Sequence, residues 1–281
     1  MTKTDERRVK IEYLLGLALV ALAVHHTVAG VLLAFTLICA WLQGLITLPA
    51  VGALCVMVLI GYLLHRYRHR KWIAMGGEGL LVLFCILLFL HLVPGFHNPK
   101  VLDHVVAGPH SAPFSLYYSL DKAITPFLLW MAIPGLFYKV MPVSRPRWHW
   151  WLLMMTVPAL LLLAVALGGL RCESHWPAWL GQFVLANFLF VSLAEEALFR
   201  GYLQRRLSQC VGPLPALIVT ATLFGLAHFQ AGELMMIFAG LAGLIYGAAW
   251  WWSGRLWVST AFHFALNLLH LLCFTYPYFQ R

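Results

Sequence analysis

Charge is what this sequence has least of. Of its 281 residues only 10% are Asp, Glu, Lys or Arg, against 62% hydrophobic, whereas a soluble domain carries about a quarter charged residues. A soluble all-α globule is therefore excluded, because too little polar surface is available to solvate its exterior. Cysteine pairing is missing too. Cys39, Cys55, Cys85, Cys172, Cys210 and Cys273 show no CxxC motif and no regular spacing, so neither a disulfide framework nor a cysteine zinc site is indicated. There is no Gly-x-Ser-x-Gly and no His-Glu-x-x-His, the local signatures of a serine nucleophile elbow and of one large class of zinc proteases. The first apolar run ends in His25-His26 and not in a small-residue cleavage site, so it is expected to stay as a membrane segment and not to be removed as a signal.

Long apolar runs are what remains, several of them near the roughly 20 residues that span a bilayer. They predict helices at about 11–25, 27–44, 49–64, 73–92, 120–138, 149–169, 178–206, 213–229, 233–252 and 256–275. The fold class expected is all-α, a polytopic transmembrane bundle of about eight to ten helices. The net charge of +9 comes from 19 Lys and Arg against 10 Asp and Glu. These basic residues cluster between the runs: Lys3, Arg7, Arg8 and Lys10; Arg66, Arg68, Arg70 and Lys71; Lys139, Arg145 and Arg147; Arg205 and Arg206. Such clustering is the positive-inside signal of a membrane protein. No basic module interleaved with aromatics stands out, so nucleic acid is not an expected partner. With both Lys3–Lys10 and Arg66–Lys71 inside, residues 11–64 must cross an even number of times.

From Arg66 onward the predicted topology puts 65–71, 139–148, 205–212 and 253–255 inside, and 94–119, 170–176 and 230–232 outside. Pro213 and Pro215 open one helix, where the missing N–H is tolerated. The 94–119 segment, with His97, Asp103, His104 and His110, is expected to be an irregular connecting loop, with a substrate-contacting lid as the alternative. Two regions of one membrane domain are expected: 1–170, of unassigned role, and 171–281, holding the candidate site.

The ten acids are informative because a carboxylate in hydrocarbon is costly and functional by default. Asp5, Glu6, Glu12, Asp103 and Glu173 fall at ends or in loops, while Glu78, Asp121 and Glu233 are expected at helix starts, where the dipole favours them. Glu195 and Glu196 remain, side by side within the run 178–206. At helical spacing Glu196 pairs with Arg200, four residues on. Glu195 points about 100° away and is left facing the bundle.

Two further helices carry polar groups at one-turn spacing: Phe224 with His228, and His263 with Asn267. For His25, His26, His91 and His270 a hydrogen-bonded structural role is the expectation. His228 and His263 differ in depth. At 1.5 Å per residue, Glu195 lies roughly 15 Å from the inner boundary, His263 about 12 Å, Asn267 about 18 Å and His228 about 22 Å. Helices of alternating direction thus deliver polar groups into one band of the membrane. Gly201, Gly225, Gly240, Gly243 and Gly247 recur nearby, as close helix packing in membranes favours.

Glu-Glu-x-x-x-Arg at 195–200, Phe-x-x-x-His at 224–228 and His-x-x-x-Asn at 263–267 together resemble the CPBP family of intramembrane endopeptidases, which includes CAAX prenyl proteases of the Rce1 type and bacteriocin-processing or Abi proteins. The resemblance covers about residues 178–275. It implies that Glu195 and His228 activate a water, that His263 and Asn267 stabilise the oxyanion, and that Glu196, Arg200 and Phe224 support the site, with no cofactor and no metal. The chemistry agrees: amide hydrolysis needs a base for the water and donors where negative charge develops.

A second reading keeps the same residues and adds zinc, held by Glu195, His228 and His263 with one position open for water. A third is a non-enzymatic membrane protein, a transporter or an immunity factor, since midplane acids and histidines also mark proton pathways. The partners expected are the bilayer and a membrane protein, a lipidated peptide or a leader peptide as substrate. The location expected is a multi-pass position in a bacterial inner membrane.

Overall fold

The computed structural model describes residues 10–280. Lys3, Arg7 and Arg8, with Asp5 and Glu6, lie outside the described residues. Among the described residues ten helical stretches form: α1 Ile11–Leu22, α2 His26–Leu42, α3 Leu48–Arg66, α4 Lys71–Phe89, α5 Leu120–Ala132, α6 Arg147–Ala166, α7 Leu180–Val211, α8 Pro213–Leu226, α9 Glu233–Ser253 and α10 Leu256–Cys273. The chain is an all-α, multi-pass membrane protein. Six helices, α3, α4, α6, α7, α9 and α10, are long and apolar enough to cross a membrane, while α1, α2 and α8 are shorter apolar helices. Their outward faces carry large exposed apolar side chains, among them Val31, Leu59, Leu83, Leu163 and Ile237. That is the surface a lipid solvent accepts and water does not.

Local chemistry sets most boundaries. Pro49 lies in the first turn of α3 and Pro213 in that of α8, where no intrahelical N–H is lost. At the other end, α9 stops at Gly254, which takes the left-handed conformation (φ +66°), as helix C-termini favour. Sequence periodicity places Glu78 at a helix start, but it lies seven residues inside α4, whose first turn reaches back to Lys71.

The chain divides into two compact units: Met1–Pro99 with Tyr117–Pro134, and Lys100–Leu116 with Gly135–Arg281. In the first, buried Asp121 at the start of α5 faces His91 Nδ1 at 2.6 Å and accepts from Asn98 Nδ2 at 3.0 Å. His26 stacks on Trp130, and His25 Nδ1 accepts the Val28 N–H at the start of α2. These histidines have structural partners.

The second unit holds α6 to α10 and most of a two-stranded sheet, β1 Lys100–Val105 and β2 Phe114–Tyr117. The expected irregular loop is thus partly a hairpin. Its first strand reads Lys-Val-Leu-Asp-His-Val, two apolar residues followed by two polar ones, without the period-2 alternation by which a half-buried strand is read from sequence. Asp103 is held at a pKa of about 2 by hydrogen bonds from Lys100 and His104.

Segments predicted on one side of the membrane lie together within this unit. Val140 N–H donates to Gly254 O, joining two segments expected inside. On the side expected to be outer, Glu173 accepts from Ser111 Oγ at 2.8 Å and from the His110 N–H at 3.0 Å, and it meets His175 Nε2 at 2.8 Å. The other His175 nitrogen reaches Leu271 O at the end of α10 at 2.7 Å. Burial pushes the Glu173 carboxyl upward, but the hydrogen bonds from His175, Ser111 and the His110 amide outweigh it and hold the pKa below its ordinary value.

A carboxylate depressed in the folded state stabilises above its unfolded pKa, about 4.3 for glutamate, and that contribution is lost as pH falls through the folded value. Glu173→Ala is therefore expected to lower stability by roughly 1–3 kcal/mol at neutral pH, the cost of buried donors left unpaired. The gap between variant and wild type should close below about pH 4. Thermal unfolding in detergent across a pH series measures both.

Candidate active site

All seven candidate residues fall in the second unit, on α7, α8, α10 and the turn after α8. The helix that carries the glutamates is not regular. The α7 run contains two π-helical segments, Ala186–Ser192 and Ala197–Gln204, on either side of one α-helical turn, Leu193–Glu196. The apolar pattern predicts an unbroken α-helix, and hydrophobic periodicity carries no signal for the wider turns. Such segments concentrate at functional sites.

Glu196 is fully enclosed. Its Oε1 accepts from Arg200 Nη1 at 2.8 Å and faces His263 Nδ1 at 3.0 Å. Arg200 is equally buried and donates its second amino group to Gly243 O on α9 at 2.8 Å. Its guanidinium also lies 4.6 Å from the Phe224 ring centre and 5.4 Å from that of Tyr246, a favourable cation–π placement. One arginine thus joins α7, α8 and α9.

Glu195 has different surroundings. Its side chain keeps 12% of its surface, and Oε2 stands 3.9 Å from His263 Nε2, beyond hydrogen-bond length. Because Glu196 accepts at Nδ1, the neutral His263 ring carries its proton there and presents Nε2 toward Glu195. The ring is stacked on Tyr246, with centroids 4.6 Å apart and planes 10° from parallel.

His228 lies just beyond α8, which Ala227 caps, and is itself the N-cap of a short 3-10 turn, Phe229–Ala231. Its Nδ1 meets the Phe224 carbonyl at 2.8 Å. A carbonyl only accepts, so Nδ1 holds the proton and Nε2 keeps a lone pair. The Phe224 ring is the hub between the histidines, 4.9 Å from His228 and 5.8 Å from His263. Asn267 sits one turn beyond His263 on α10 and donates to Asn187 Oδ1 at 3.1 Å.

Sequence reasoning missed Asn187 and Tyr246. Asn187 and Ser192 are polar residues inside the same apolar run as Glu195, which is the signal that was there to read. Tyr246 lies in an aromatic-rich helix and had none. Among the described residues, no three His, Cys, Asp or Glu side chains are grouped as metal ligands.

Close backbone approach makes room for this cluster. A Cβ at Gly225 would lie 2.6 Å from Met236 O, and one at Gly243 would lie 3.1 Å from Ala221 Cα, so α8 and α9 touch backbone to backbone. Grooves of about 510 and 490 Å³ run between α8 and α9 and between α6 and α10, and neither is lined by Glu195, His228, His263 or Asn267.

Residues 177–269 match the family model described as Type II CAAX prenyl endopeptidase Rce1-like. No curated protein and no solved structure matches the chain. The matched stretch contains all three motifs and about a third of the chain, and it is that stretch which is similar to the Rce1-like endopeptidases.

Removing one partner of a buried ion pair strands the other charge, at a cost of about 3–5 kcal/mol. Arg200→Leu is expected to lose that much stability, and Glu196→Gln with Arg200→Met to recover most of it. Thermal midpoints of the purified variants in detergent check both.

Proposed function

We propose that this protein is an intramembrane endopeptidase that hydrolyses peptide bonds of membrane-anchored or membrane-embedded substrates, with Glu195 and His228 activating the attacking water and no metal. The observation that carries this reading is the contrast between two adjacent glutamates. Glu196 is neutralised by Arg200 and His263, whereas Glu195 keeps an exposed edge with no hydrogen bond at its His263 approach. An acid kept accessible inside a membrane bundle is suited to proton transfer. His228 offers Nε2 as a second acceptor for the same water.

In the reaction the water gives a proton to the Glu195–His228 pair as its oxygen attacks the scissile carbonyl carbon. The carbonyl oxygen becomes an oxyanion, which His263 Nε2–H, in the imidazolium form supported by Glu196, and Asn267 Nδ2–H receive. Collapse breaks the C–N bond, and the held proton passes to the leaving amine. Each oxyanion donor contributes on the order of 2.7–4 kcal/mol in comparable sites. Substrates are membrane-tethered peptides, either lipidated C-terminal tails or leader peptides, and a bacterial inner membrane is the proposed location.

The test is cleavage of an S-farnesylated CAAX peptide and of an unprenylated membrane-anchored leader peptide in proteoliposomes, by wild type, Glu195→Ala and His228→Ala, each with and without a strong chelator. The expected outcome is cleavage of at least one peptide by wild type, reduced at least roughly 10²-fold in both variants and indifferent to the chelator. Loss on chelation with recovery on added zinc replaces the water mechanism by the His₂Glu metal site. Equal cleavage by all three proteins removes the assigned site.

A further inference from the structure

Asn187 lies eight residues before Glu195, is buried, and is not part of any of the three sequence motifs. Its Oδ1 accepts two hydrogen bonds, from Asn267 Nδ2 at 3.1 Å and from Ser192 Oγ at 3.3 Å. Ser192 is fully buried. We infer that Asn187 is a positioning residue for the oxyanion hole, fixing the Asn267 amide so that its second N–H faces the reacting carbonyl; the inference rests on the function proposed above.

The backbone explains why these residues meet. Asn187 and Ser192 are five apart. At 3.6 residues per turn they stand about 140° apart around a helix, too far for a side-chain bond. They lie within the π-helical segment Ala186–Ser192, where the i→i+5 register brings them onto one face. The segment therefore makes a small polar relay inside an otherwise apolar helix, running from Ser192 through Asn187 to Asn267.

The chemistry of the amide supplies the rest. A free asparagine rotates about its terminal torsion and presents oxygen and nitrogen nearly equally. An oxyanion hole needs nitrogen toward the negative charge, because a carbonyl oxygen there would repel it. Asn187 Oδ1 is acceptor-only, so it selects the orientation in which Asn267 Nδ2 faces it. One of the two Asn267 N–H groups is then committed and the other is aimed by amide planarity. Ser192, donating to the same Oδ1, gives that oxygen a second partner on the same helix. The Asn187–Asn267 contact also joins α7 to α10, and so holds the glutamate helix in register with the histidine helix.

The experiment uses whichever of the two probe peptides wild type cleaves in a Glu195-dependent manner, with full-length protein in proteoliposomes. Asn187→Leu, which keeps the branching at Cγ but removes the acceptor, is expected to lower kcat about 10- to 100-fold with KM within twofold, somewhat less than the roughly 10²–10³-fold expected for Asn267→Ala. The double variant is expected to be no slower than Asn267→Ala alone, because the two act through one donor. Ser192→Ala should lower kcat several-fold in the same way. If Asn187→Leu does not fold, Ser192→Ala carries the comparison, with the same non-additivity against Asn267→Ala, while Asn187→Asp, which keeps an acceptor facing Asn267, is expected to retain kcat within a few-fold and to overturn the inference if it falls as far as Asn267→Ala. For Asn187→Leu or Ser192→Ala, unchanged kcat, a change confined to KM, or fully additive losses would overturn the inference while leaving the Glu195 mechanism intact. If wild type cleaves neither probe, or its cleavage ignores Glu195→Gln, the proposed function falls and this inference falls with it.

Discussion

The second unit is organised around the buried pair of Glu196 and Arg200. Two full charges with no solvent exposure cost several kcal/mol each to desolvate, and their attraction returns that only when geometry and further hydrogen bonds are right. Here the further partners come from other helices: Gly243 O on α9, His263 on α10, and the faces of Phe224 and Tyr246. The pair therefore adds little to net stability as an isolated contact but fixes a single arrangement of four helices. Any sliding of α9 or α10 past α7 would strand a charge in hydrocarbon. The glycines at the α8–α9 crossing serve the same end, because Gly225 and Gly243 leave no room for a Cβ at a contact that must be this close.

From this fixed frame follows a division of labour between neighbours in sequence. One residue's rotation around α7 turns Glu195 away from Arg200 and toward the edge of His263. The second carboxylate orients the imidazole from its Nδ1 side and the first stands off its Nε2 side. A histidine held between two carboxylates of unequal accessibility can be kept in one orientation and still face substrate. His228, aimed by the carbonyl of Phe224 in the turn beyond α8, completes the set without needing a helix of its own.

Much of this was legible in the sequence. The ten apolar runs correspond to the ten helical stretches, and the four-residue spacing of Glu196 and Arg200 corresponds to their contact, because hydrophobic runs and one-turn pairs are local properties. What stayed hidden was non-local or depended on an unusual register. The π-helical turns of α7 leave no trace in apolar periodicity, so Asn187 could not be placed opposite Asn267. The hairpin at 100–117 stayed hidden because its first strand, Lys100–Val105, has no alternation of apolar and polar residues and its second is only four residues long. The stack of Tyr246 on His263 joins residues on two helices whose relative rotation only the fold supplies. The same limit applies to His228: the apolar run predicts a helix through it, at 213–229, but α8 ends two residues before it, at Leu226.

The central claim is that Glu195 does chemistry while Glu196 holds architecture, and it is tested most directly by one paired measurement. Purified Glu195→Gln and Glu196→Gln are compared with wild type for both peptide cleavage and thermal midpoint in the same preparation. The account predicts that Glu195→Gln loses cleavage by roughly 10²–10⁴-fold with an unfolding midpoint close to wild type, whereas Glu196→Gln lowers the midpoint because Arg200 is left uncompensated. A Glu195→Gln protein that still cleaves, or one that unfolds as early as Glu196→Gln, would contradict it.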